Sequence, residues 1–184
     1  MSESPRSIWF ITDIKTTGLD KDKDSVVEIA SIAVDTKTLH ELGRFHTFAS
    51  PAKYARFPDS RNLRMNSWNG LWEWLAERDI PDQKQAVTAF KDFLEQQQPI
   101  GKITLAGDSV HFDLGFLNVM SDGMLTSRLN HRVINISTFR DTFAEWGLPW
   151  VSDDKIPGHR AMAVAEKSLE KLRHTKSFMQ NVNQ

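Results

Sequence analysis

Three apolar, β-rich runs near the start of the chain, Ser7–Asp13, Val26–Val34 and Leu39–Phe48, constrain its fold more than any other feature. The first ends in a carboxylate and reads as a buried central strand. Thr16-Thr17-Gly18-Leu19 and the charged stretch Asp20–Asp24 read as turn and loop. With only short loops between them, the three runs predict an antiparallel meander. After an irregular stretch from Pro51 to Pro58, the Trp-rich segment Leu63–Arg78 is expected to be mostly helical. Pro81-Asp82 starts a second helix, with Ala86, Val87, Phe90, Phe93 and Leu94 at helical spacing. A short buried strand over Lys102–Ala106 and a helix over Phe112–Met120 follow. Arg132–Ile136 reads as a strand, and Ser137 as the cap of a helix over Thr138–Trp146. A loop from Leu148 to Gly158 leads to a last helix, His159–Phe178, with Ala161, Ala165, Leu169 and Leu172 on one face. The expected fold is α/β: a mixed five-stranded sheet flanked by helices.

A length of 184 residues predicts one domain, over residues 7–180, behind a disordered tail of residues 1–6. Hydrophobic residues at 40% and charged residues at 26% are enough for an ordinary core. The net charge of −1 gives no bulk attraction for a polyanion, so any such site must be local. With no cysteine, disulfides, thiolate metal sites and a cysteine nucleophile are excluded. The opening MSESPRSIWFITD lacks the long apolar run of a signal peptide or membrane helix. The expectation is a cytoplasmic protein without a membrane partner.

Three segments carry chemistry. They are Trp9-Phe10-Ile11-Thr12-Asp13-Ile14-Lys15-Thr16-Thr17-Gly18-Leu19; Gly107-Asp108-Ser109-Val110-His111-Phe112-Asp113; and Gly158-His159-Arg160-Ala161-Met162-Ala163-Val164. In this order and spacing they resemble the oligoribonuclease branch of the DEDDh 3'–5' exonucleases. That family has a strand ending in Asp-x-Glu then Thr-Gly-Leu, a Gly-Asn-Ser segment with a following Asp, and His-x-Ala-Met/Leu-Asp-Asp. The resemblance covers nearly the whole chain and implies a ribonuclease H-like exonuclease fold. It also implies two divalent cations, Mg²⁺ or Mn²⁺, held by four carboxylates, with the His taking a proton from the attacking water. Asp13, Asp113 and His159 match the catalytic positions, and Asp13 and Asp113 the metal positions.

The departures are specific. Lys15 stands at the Glu position and Val164 at the last Asp, with apolar Ala163 before it. The family cluster carries four negative charges, whereas Asp13, Lys15 and Asp113 together carry one. At ~4 Å and an effective dielectric near 20, each unit-charge pair is worth about 4 kcal/mol, so an ammonium there opposes a divalent ion strongly. Val offers a hard cation no oxygen. Glu166 lies two residues past Val164 and points elsewhere on a helix, while Asp153 and Asp154 on the preceding loop are the best acids to fill in.

The strand-binding parts are better kept. The resemblance implies that Leu19 wedges a terminal base and that Trp68, in Met65-Asn66-Ser67-Trp68-Asn69, stacks on it. It also implies that Ser109, Arg132 and Ser137 hold the 5'-phosphate of a very short strand. Ser137 lies in Asn135-Ile136-Ser137-Thr138, where the family has Asp-Val-Ser-Thr. His131 replaces an aromatic residue, and with Arg132 it belongs to a region through which the family forms homodimers. Each of these residues also has a plain structural use: Asp13 as a strand-end turn residue, Asp113 and Ser137 near helix starts, His159 at a helix start, Trp68 in a core.

Three readings stay open. The leading one is a scaffold that binds short or 3'-terminal single-stranded RNA or DNA, with hydrolysis lost or impaired and Lys15 in contact with phosphate. The second is an active metal-dependent 3'–5' exonuclease, a phosphodiester hydrolase completed by Asp153 or Asp154. The third is an inactive copy that acts as a protein-interaction partner and needs no cofactor.

Overall fold

The computed structural model describes residues 7–52, 70–76, 79–97, 99–125, 127–152 and 159–182. Its centre is a five-stranded sheet of order β3-β2-β1-β4-β5. The strands are β1 (Ile8–Thr16), β2 (Val26–Asp35), β3 (Glu41–Phe48), β4 (Thr104–Gly107) and β5 (Ile134–Asn135). β1, β2 and β3 form the expected antiparallel meander. β4 joins the other edge of β1 in parallel, and β5 joins β4 in parallel, so the sheet is mixed. The helices are α1 (Leu71–Ala76), α2 (Gln83–Gln96), α3 (Val110–Met120), α4 (Ile136–Glu145) and α5 (Ala161–Val182). No helix among the described residues is long and apolar enough to cross a membrane.

The side-chain period of two in β1 divides the core. Phe10 and Ile14 face α2 and α3 and pack with Ile29, Phe90, Leu94, Leu105 and Leu117. Ile11 faces the other way and packs with Ile32, Ala106, Ile136, Ala165 and Leu169 beneath α4 and α5. β2 is buried along nearly its whole length because it is covered on both sides. α2 starts where expected: Asp82 accepts from the Gln85 N–H, and the Gln85 side chain accepts from the Asp82 N–H, a closed capping box. Gly107 ends β4 because a Cβ there would lie 2.6 Å from the Thr12 carbonyl oxygen of β1.

Boundaries differ from expectation in several places. β4 starts at Thr104 and ends at Gly107, and β5 shrinks to Ile134–Asn135. Ser137 is not the cap of α4. The cap position is Asn135, and Ser137 sits inside the first turn with its hydroxyl donating to Asn135 Oδ1 at 3.0 Å. His159 does not begin α5. Its φ of 49° is left-handed, and the helix starts at Ala161 and runs on to Val182. Asp113 lies within the first turn of α3 and is buried. Of the Trp-rich segment, the helix is described over Leu71–Ala76, while Trp68 and the rest of its motif lie outside the described residues, as do Asp153 and Asp154.

One contact crosses the fold in an unexpected way. Lys171 of α5 is only 1% exposed, and its ammonium lies 2.5 Å from Asp108 Oδ2 at the end of β4. Asp108 Oδ1 is buried without a hydrogen-bond partner among the described residues. Removing the lysine would strand that carboxylate. Lys171→Ala should therefore lower unfolding free energy by about 3–5 kcal/mol, and adding Asp108→Ala should return much of the loss. Urea unfolding of the two variants checks this.

Candidate functional site at the carboxyl end of the first strand

β1 carries Asp13 and Lys15 on the face that α5 covers. Two residues apart on a strand, they point the same way. The Lys15 ammonium lies 2.5 Å from Asp13 Oδ2. Lys15 pairs across the ladder with Glu28 of β2, so a second carboxylate occupies the next strand at the same level. The third comes from α3, where Asp113 Oδ1 accepts the Ile14 N–H at 3.0 Å, pinning α3 to the middle of β1. Asp13, Lys15 and Asp113 are thus brought together.

Burial dominates the titration of this cluster. It pushes Asp13 up to about 6, against the Lys15 ammonium, while Glu28 and Asp108 add to the rise. Burial, then the neighbouring Asp13, holds Asp113 well above the usual carboxylate range despite the bond from Ile14.

Glu28 behaves oppositely. It is fully buried, which alone would raise it, but four contacts hold it below its ordinary value. His46 Nε2 lies 2.8 Å from Oε1, Arg160 Nε lies 3.1 Å from both oxygens, and the Ala161 N–H donates to Oε2 at 3.3 Å. Glu28 therefore caps α5 from a neighbouring strand. That bond sets the helix start at Ala161, and the chain reaches it through the left-handed, exposed His159. Arg160 also lies over the Phe48 ring, 5.1 Å from its centroid.

These residues do not fit a pair of divalent ions. Asp13 is covered by an ammonium, Asp113 is buried with a raised pKa, and Glu28 is saturated. Val164 occupies the first turns of α5 without a donor. Glu166 cannot replace it, because its carboxylate is tied to Arg44 of β3. Among the described residues no group of three or more His, Cys, Asp or Glu side chains is arranged to hold a metal.

The strand-binding candidates form two groups. Leu19 is 76% exposed at the tip of the β1–β2 loop. Gly18 before it has no room for a side chain, since a Cβ would lie 2.4 Å from Asp24 Oδ2. Just past the carboxyl end of β4, the Ser109 N–H donates to Asn135 Oδ1 at 3.1 Å, and the Ser137 hydroxyl donates to the same oxygen. Arg132 is exposed in the segment leading into β5, its N–H bonded to Asn130 Oδ1.

Two residues escaped the sequence reading: Lys171, which holds Asp108, and Arg160, which holds Glu28. A signal for the first exists. Val164, Ser168, Lys171 and Thr175 are all buried at spacings of four, three and four, so a lysine lies in a buried helical stripe.

Comparison with known proteins agrees with this architecture. A family model described as exonuclease (RNase_T) matches residues 10–172, and the chain belongs to that exonuclease family. Its likeness within the family is to oligoribonucleases. It is 28% identical to the oligoribonuclease of Xanthomonas axonopodis pv. citri over 97% of this chain and 91% of the relative. It is 30% identical to human mitochondrial oligoribonuclease over 93% of this chain and 72% of the relative. In three dimensions it superposes on Escherichia coli exonuclease I, solved in complex with a dT13 oligonucleotide, with a TM-score of 0.72 and 15% identity. The match covers 96% of this chain but 42% of that one, so the likeness is to part of the larger enzyme and concerns the fold.

The raised Asp13 gives a measurable signature. Its folded pKa lies near 6, above the ordinary aspartate value of 3.8. Between those values the folded chain holds a proton that the unfolded chain has released. Asp13 therefore stabilises the fold below the lower value and loses that contribution as pH rises through about 6. Carbon-detected NMR should place the Asp13 carboxyl midpoint near pH 6, and Lys15→Met should move it higher, because the ammonium opposes the shift.

Proposed function

We propose that this chain binds short or 3'-terminal single-stranded nucleic acid on an exonuclease scaffold whose hydrolytic step is lost or impaired. The observation that carries this reading is the Lys15 ammonium 2.5 Å from Asp13 Oδ2. A side-chain cation lies on an oxygen that the family resemblance assigns to a metal. In this reading Lys15 meets a backbone phosphate, and Leu19 and Trp68 hold the terminal base by contact and stacking. Ser109, Arg132 and Ser137 hold the other end of a short strand. The oligonucleotide bound to exonuclease I supports the choice of ligand class by analogy of fold. Dimer formation through the Arg132 region and a cytoplasmic setting belong to the same proposal.

Binding should survive EDTA and weaken as salt rises, since phosphate charge is met by side chains. Lys15→Ala should weaken it. Trp68→Ala should cost ~1–3 kcal/mol through lost stacking. Fluorescence anisotropy with a labelled 5'-phosphorylated oligomer in EDTA reads all three. Absence of binding at high protein concentration would put the protein-interaction reading in front.

The rival reading is an active exonuclease, and the names of the relatives favour it. Gel assays on short RNA and DNA with Mg²⁺ or Mn²⁺ separate the two, with Asp13→Ala as the control against a contaminating nuclease. We expect little cleavage by the natural chain. Lys15→Glu combined with Val164→Asp should make divalent-ion binding and 3'–5' cleavage appear together, while each single change does little. Cleavage by the natural chain at ordinary enzyme rates, abolished by Asp13→Ala, would overturn the proposal.

A further inference from the structure

A cavity at the opposite end of β1 from Asp13 has no part in the site described above. Side chains alternate along the strand, so Trp9 shares a face with Asp13 but lies four residues, or about 13 Å, toward the amino end. There the second half of α5 passes over it, with Leu172, Lys176 and Met179 at spacings of four and three. With Leu39 and with Phe139 of α4, these residues line a cavity of about 340 Å³. Leu39 and Leu172 are buried, whereas Met179 is 50% exposed.

The size is that of a small-molecule site. Two aromatic rings favour a flat ring between them, and the Met179 thioether adapts to such a body. The charge is equally specific. Among the described residues no acid lines the cavity, and Lys176 is its one charged group. The Lys176 ammonium donates to the Lys37 carbonyl, which orients it without neutralising it and leaves two N–H donors for an anion. A nucleotide suits the lining poorly, because the edges of a base need several polar partners. The Thr175 hydroxyl is spent on the Lys171 carbonyl, which leaves Thr36 and Gln180. Independently of the strand-binding reading, we propose that this cavity binds a small aromatic carboxylate, with its ring against Trp9 and Phe139 and its charge on Lys176.

The probe is 2-naphthoate, a two-ring body with a single carboxylate. Titration calorimetry on the full chain should show one molecule bound. In proton–nitrogen correlation NMR the Trp9 indole N–H, assigned through Trp9→Phe, should shift with the same affinity. Lys176→Met should weaken 2-naphthoate about tenfold, as loss of a charge-assisted hydrogen bond implies, and leave the neutral 2-naphthalenemethanol nearly unchanged. Lys176→Arg should keep most of the affinity. Thermal unfolding tracks any loss of structure, which would weaken acid and alcohol alike. Decanoate, which puts the same charge on a flexible chain, and adenosine monophosphate should both bind more weakly than 2-naphthoate. A Trp9 signal unmoved by millimolar 2-naphthoate, an affinity indifferent to Lys176→Met, or tighter binding of decanoate or the nucleotide would overturn the proposal.

Discussion

An ammonium held 2.5 Å from a carboxylate oxygen at the end of the central strand decides what this site can do. β1 is buried on both faces, and its carboxyl end gathers acids from three elements: Asp13 of its own, Glu28 of β2 and Asp113 of α3. Buried carboxylates that lie close together repel, and desolvation penalises each one. Such a cluster exists only with compensating cations. Among the described residues, side-chain cations lie against three of the buried acids here.

Three pairings accomplish this. Lys15 covers Asp13, Arg160 grips Glu28 with help from His46, and Lys171 reaches Asp108 from the buried side of α5. Among the described residues Asp113 accepts the Ile14 N–H, and burial, then the neighbouring Asp13, drives its carboxyl well above the usual range despite Lys15 nearby. The pairings also tie elements together. Arg160 and Ala161 fix the start of α5 on β2, and Lys171 fixes its middle to the end of β4.

Much of this was legible in the sequence because it depends on local periodicity. The three opening strands, the helix start at Pro81-Asp82 and the apolar face of α5 follow from local patterns. The three motifs located the acids, and Lys15 and Val164 marked where the pattern breaks. The misread features are those set by distant partners. Arg160 and Glu28 are 132 residues apart, and Lys171 and Asp108 are 63 apart. The α5 boundary depends on the first of these, so the local pattern places the helix start at His159, two residues early. The sequence offers Ser137 as a cap because two good capping residues stand close together, but the earlier one, Asn135, already occupies the extended cap position.

The same pairings bear on whether a strand can be held without metal. A centre of four unpaired carboxylates would repel a phosphate backbone once its cations were removed. Here Asp13, Glu28 and Asp108 are each neutralised by a fixed side chain, and Asp113 is pushed toward its uncharged form. An approaching phosphate therefore meets a nearly neutral floor. Leu19 stands exposed in the β1–β2 loop, and the Ser109–Asn135–Ser137 cluster lies just past the carboxyl end of β4. Because that neutrality comes from ion pairs and not from free cations, the net electrostatic pull on a strand is modest. In the proposed binding mode, discrimination between strands then falls to exposed donors such as Arg132, in the segment leading into β5.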